Sequence, residues 1–64
     1  MQFLINDMTC NHCVGAVTKA VKTVDAAADV RIDLSTKIAS VTSSAEAEKI
    51  ADAIKDAGYT PQAA

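Results

Sequence analysis

Along the chain the hydrophobic positions alternate, then recur every three to four residues, then alternate again, and this order is repeated once. Phe3 and Ile5 lie to one side of an extended segment Gln2–Asn6, with Leu4 on the other, which predicts a strand. Asp7 to Asn11 is a polar loop, with Asn11 placed to cap a helix. From Cys13 to Val24 the period becomes helical. Cys13, Val17, Ala20, Val21 and Val24 share a face with Ala16 beside it, and Thr18, Lys19, Lys22 and Thr23 take the remainder. Asp25–Ala28 is a connector. Val30, Ile32 and Leu34 then alternate with Arg31 and Asp33, a half-buried strand.

Ser35-Thr36 forms the next turn, and a third strand spans Lys37–Thr42. Its alternation is imperfect: Ile38 and Val41 share a face only if the strand is bulged, and otherwise one of them points outward. Ser43 followed by Glu46 has the spacing of a capping box and opens a second helix. Ala47, Ile50, Ala51, Ile54 and Ala57 make its inner face. Glu46 and Glu48 suit the positive end of the helix dipole and Lys55 the negative end. Gly58 is the stop signal, and Tyr59–Ala63 is a last strand that Pro61 confines to a sheet edge.

The order strand-helix-strand, strand-helix-strand predicts an α+β fold of the ferredoxin-like βαββαβ type. Four antiparallel strands form the sheet and both helices cover one face. The 64 residues are expected to make one domain, 1–64. A chain of this size buries only about 60% of its unfolded surface, and with Phe3 and Tyr59 as the only aromatics its core must come from Val, Ile, Leu and Ala. The net charge of −2 carries no basic block, which argues against nucleic-acid binding. No apolar run approaches the ~18 residues of a membrane span, and the first residues lack the basic start of a signal peptide. A soluble, cytoplasmic protein without membrane insertion is expected.

The chemistry concentrates in Met8-Thr9-Cys10-Asn11-His12-Cys13, which holds both cysteines and the single histidine. Two thiols separated by two residues converge most easily where a loop becomes a helix. There backbone N–H groups and the helix dipole favour thiolate, the form that binds metal or attacks a disulfide. Structurally inert cysteines are uncommon in this setting. Thiol–disulfide exchange of the thioredoxin kind pairs its CxxC with a cis-proline in a longer chain, whereas the one proline here, Pro61, lies at the far end. A structural zinc site wants four ligands; Cys10, Cys13 and His12 give three at most, with the His12 ring aimed away, unless Asp7 or a partner supplies the fourth. A two-thiolate site suits a soft d¹⁰ ion of low coordination number, Cu(I) above all, and leaves an open side for an incoming thiolate. Coordination logic alone does not separate Cu(I) from Ag(I) or Hg(II).

Met8-x-Cys10-x-x-Cys13 between a short strand and a helix resembles the heavy-metal-associated domain. So do Cys13-Val14-x-Ala16-Val17, Ile50-Ala51-Asp52-Ala53-Ile54 and Ala57-Gly58-Tyr59, and the likeness covers nearly the whole chain. The histidine just before the second cysteine is most similar to bacterial copper chaperones of the CopZ type. The resemblance implies Cu(I) bound by Cys10 and Cys13 and passed by thiolate exchange to the metal-binding domain of a copper-transporting P-type ATPase. Ag(I), Hg(II) or Zn(II) are alternative ions in vitro. A copper-responsive regulator is a second candidate partner, and a copper-linked homodimer a candidate assembly. Met8 is expected in the core beneath the loop, His12 facing solvent, and Tyr59 near the loop. Asp7 replaces the family's usual glycine and could favour a harder divalent ion. Lys19 and Lys22 are candidates for docking an acidic partner. No enzymatic activity is expected, since no nucleophile–base pair, phosphate loop or carboxylate pair is present. The alternatives are a metal-binding module of a P-type ATPase, a mercury-binding protein, or a small CxxC thiol oxidoreductase.

Overall fold

The computed structural model describes residues 1–9 and 11–64, and in them the elements follow the order β1 (Gln2–Ile5), α1 (Asn11–Val24), β2 (Asp29–Asp33), β3 (Ile38–Thr42), α2 (Ala47–Asp56) and β4 (Pro61–Ala63). The strands form one antiparallel sheet in the order β2-β3-β1-β4, so the proline-bearing strand does lie at an edge. Phe3, Ile5, Ala39 and Val41 from the sheet meet Val17 and Val21 of α1 and Ile50 and Ile54 of α2 in a single core, which places both helices on one face. The ferredoxin-like arrangement expected from the hydrophobic pattern is the one observed.

The question over β3 resolves without a bulge. Its residues pair one to one with both neighbours: Phe3 with Ala39, Leu4 with Ile38, Val30 with Val41. Val41 is 2% exposed in the core, and Ile38 occupies the outer face opposite Leu4, both half-buried. A cross-strand apolar pair recovers part of the burial that an outward isoleucine would otherwise lose. Lys37 belongs to the preceding turn and not to the strand.

The capping box at Ser43 does not form. Helix α2 starts at Ala47 with Glu46 as its N-cap and no side-chain cap. Ser43 Oγ instead donates to Asp25 Oδ2 at 2.6 Å and accepts from the Ala45 amide at 3.0 Å. The serine thus turns the chain and ties two connectors together, a local bond that competes with capping. Of the expected inner face, Ala47 and Ala57 are exposed, Ala51 is half-buried, and Ile50 and Ile54 carry the buried face. Likewise Asn11 lies inside α1 and is not its cap, and Val24 is 36% exposed in the last turn. The stop at Gly58 is as expected: its φ is +99°, the Gly58 amide donates to Lys55 O, and the Tyr59 amide reaches back to Ile54 O. Those two bonds make a Schellman ending.

This topology sorts the connections by end. The β1–α1 loop, the β2–β3 turn and the α2–β4 link gather at one pole. The Asp25–Ser43 bond joins the other two connectors at the opposite pole. Both chain ends lie there too, with the Ala64 amide on Gln2 O at 3.1 Å and the Met1 ammonium on Val41 O at 3.0 Å.

Candidate metal centre

Strand β1 ends at Ile5, and the chain then doubles back in a turn closed by the Met8 amide on Ile5 O at 3.2 Å. That turn drives the Met8 side chain inward, where it is 0% exposed among the core residues. A flexible thioether fills such an irregular gap well, so Met8 is where the sequence places it. Cys10 lies outside the described residues. Cys13 sits in the first turn of α1, half-buried and packed against the core. No acidic residue occupies that turn, which lies at the positive end of the helix dipole. His12 is exposed one residue earlier, on the solvent side as expected. Among the described residues no three His, Cys, Asp or Glu side chains come together as a metal-ligand cluster.

Two side chains moor the loop from different elements. Asp7 Oδ1 accepts from the Thr60 amide at 3.2 Å and draws the α2–β4 link toward the loop. Tyr59 lies within that link, half-buried against the core. The carboxylate considered as a hard ligand is therefore engaged with backbone through one oxygen. Lys37 is the second mooring: its ammonium donates to Met8 O at 2.9 Å from the β2–β3 turn. Lys37 was not among the residues expected at the site. The available signal was a four-residue connection, Leu34-Ser35-Thr36-Lys37, without the glycine or asparagine that such turns favour. Lys19 and Lys22 are both exposed on α1; Lys22 lies in the last turn, ~13 Å along the axis from Cys13 at 1.5 Å per residue.

Comparison with known proteins agrees with this geometry. The model of the heavy-metal-associated domain family matches residues 2–60. "Copper-transporting ATPase 1" of Rhizobium meliloti is 40% identical over 60 residues, 91% of this chain; the chain spans only 7% of that protein's length. The "COP-associated protein" of Helicobacter felis is 39% identical over 57 residues, 86% of each chain. A solved trimeric form of the copper chaperone Atx1 from Synechocystis PCC6803 superposes with a TM-score of 0.94 at 39% identity, covering 97% of this chain and 98% of that one.

Proposed function

The chain belongs to the heavy-metal-associated domain family, and from that membership we propose that it is a cytoplasmic copper(I) metallochaperone. Cys10 and Cys13 hold the ion as thiolates, and a copper-transporting P-type ATPase receives it on a CxxC of its own. The observation that carries this reading is Cys13, half-buried in the first turn of α1 at a helix end without acidic residues, above a loop whose buried residue is Met8. Such a site favours the thiolate and a soft ion. Two-coordinate Cu(I) accepts a third sulfur before it releases the first, so it moves between proteins without becoming bare. The protein supplies binding and orientation and performs no chemical conversion. Among the described residues no helix is long and apolar enough to cross a membrane.

The test is chelator competition for Cu(I) by the reduced protein. Cys10→Ala and Cys13→Ala are each expected to lower affinity by orders of magnitude, and parent-like competition by either variant overturns the two-thiolate site. Titration of the copper-loaded protein with an ATPase metal-binding domain is expected to partition copper between the two. Lys19 and Lys22, exposed on α1, are the candidate docking charges, and reversing both to Glu slows transfer at low salt while sparing affinity.

A second reading has its own support. The 40% identity to the copper-transporting ATPase favours the same domain working as a metal-binding module of such a pump. The site chemistry is then unchanged, and copper passes within one polypeptide.

A further inference from the structure

We propose that Lys37 is a positioning residue for the metal-binding loop. The proposal rests on the copper(I) reading given above and adds to it a group outside the Met8–Cys13 stretch. Four observations meet at this lysine. It closes the β2–β3 turn with a φ of +63°, the only non-glycine in the left-handed region among the described residues. That region suits glycine and asparagine and disfavours a branched-out side chain. Its carbonyl accepts the Ile5 amide at 2.8 Å, at the last residue of β1. Its ammonium donates to Met8 O at 2.9 Å, across 29 positions of sequence. Its side chain is half-buried, unusual for lysine.

The backbone and the side chain of one residue therefore grip both sides of the Ile5–Met8 turn. Glycine would serve the turn with less strain, but it could not reach Met8. A strained conformation retained at the edge of a site is the pattern expected when the side chain has a task there. Among the described residues the one ion pair is Arg31 with Asp29, and no carboxylate lies within ion-pair distance of Lys37. Cu(I) between two thiolates carries a net charge of −1. A half-buried cation bonded to the carbonyl of Met8, itself two residues before Cys10 in sequence, favours that anionic complex and is screened less than a solvent-exposed one. Position and charge thus act together: the lysine fixes where the loop leaves the core and offsets the charge the loop acquires on loading.

The experiment uses three variants of the whole chain. Lys37→Gly removes the side chain and relaxes the backbone, Lys37→Met keeps the stem and removes the charge, and Lys37→Arg keeps the charge. Lys37→Gly is expected to melt within a few degrees of the parent, because relieved strain offsets the lost bond. Both Lys37→Gly and Lys37→Met are expected to lose about tenfold in Cu(I) affinity, the scale of one charge-assisted hydrogen bond. Lys37→Arg is expected to recover most of that loss. In the metal-free protein the Met8 carbonyl ¹³C resonance moves in Lys37→Met and returns toward the parent value in Lys37→Arg. Parent-like copper affinity in Lys37→Gly and Lys37→Met overturns the proposal, as does a Lys37→Arg variant no better than Lys37→Met. If the parent itself binds Cu(I) no better than Cys13→Ala, the copper reading fails instead. The carbonyl resonance then still decides whether Lys37 holds the loop.

Discussion

Replacing Met8 separates packing from coordination, because the two roles predict opposite rankings of its variants. The Met8 side chain is fully buried beneath the loop, and its amide and carbonyl both hold the turn through Ile5 and Lys37. Met8→Ala empties that position. Large-to-small changes at such sites cost about 2–5 kcal/mol, the transfer term plus the cavity left behind. A domain of this length has a total stability on the order of 3–10 kcal/mol, so the change removes a large share of it and lowers the melting temperature by at least about 8 °C. Met8→Leu nearly conserves volume and is expected to cost less than about 1.5 kcal/mol. It also deletes the sulfur, so a core role predicts Cu(I) affinity within tenfold of the parent, or about 1.4 kcal/mol. Urea unfolding of the metal-free proteins and chelator competition of the loaded ones measure the two quantities separately. A folded Met8→Leu protein that has lost far more than tenfold in affinity shows that the thioether coordinates. A Met8→Ala protein within about 1 kcal/mol of the parent refutes the burial argument, since that lies below the range for emptied core sites.

Gly15 and Gly58 should respond to alanine with opposite signs. A Cβ at Gly15 meets no atom within 4 Å on an exposed helical position, so Gly15→Ala gains about 0.5–1 kcal/mol, whereas Gly58 with its φ of +99° makes Gly58→Ala destabilising in the same urea titration. His12, exposed one residue before Cys13, is expected to leave Cu(I) affinity within about tenfold of the parent when changed to Gln; a nitrogen neighbour in X-ray absorption that disappears in His12→Gln contradicts this. Stability should fall at acid pH through two carboxylates. The Ser43 hydroxyl, then the Ala27 amide, hold Asp25 below its ordinary 3.8 against a smaller opposing effect of burial, and the Ser35 hydroxyl and amide do the same for Asp33. Both groups stay charged further down in the folded protein than in the unfolded one. Their contribution is therefore complete above that value and is lost as pH falls through the depressed folded values. Ser43→Ala should flatten the acid limb of a stability–pH curve, and an unchanged limb refutes the assignment.

Most of the fold was legible because its signals are periodic. Phe3 and Ile5, Val30 and Ile32, and Ile50 and Ile54 declare their elements by spacing alone, and Gly58 and Pro61 punctuate them. One expectation failed through a short polar bond that spacing cannot rank, and one question was left open for want of a partner. Ser43 and Glu46 have the separation of a capping box, yet the serine bonds to Asp25, distant in sequence and close only once the fold exists. Ile38 needed a partner, and Leu4 supplies it across the outer sheet face. In the loop, Met8 was expected in the core and His12 toward solvent from the family resemblance, and their burial and exposure agree. Lys37 was hidden because its role depends on a left-handed backbone and on a carbonyl 29 positions away. Asp7 was read as a departure that could alter metal choice, and the structure gives its carboxylate a backbone partner, Thr60.

The placement of the two chain ends bears on how the domain can be assembled into larger objects. Met1 and Ala64 are each hydrogen-bonded into the sheet at the pole away from the loop. Anything joined there, whether a reporter, a bead or a second copy, is attached at the pole away from the Met8–Cys13 loop and not in front of it. Copies strung end to end keep every loop outward, like bells on a cord. With short flexible spacers they meet one another at an effective concentration on the order of millimolar. The unit is thus portable in either order, and the spacing of the cord, not the domain, sets how often one loop encounters the next.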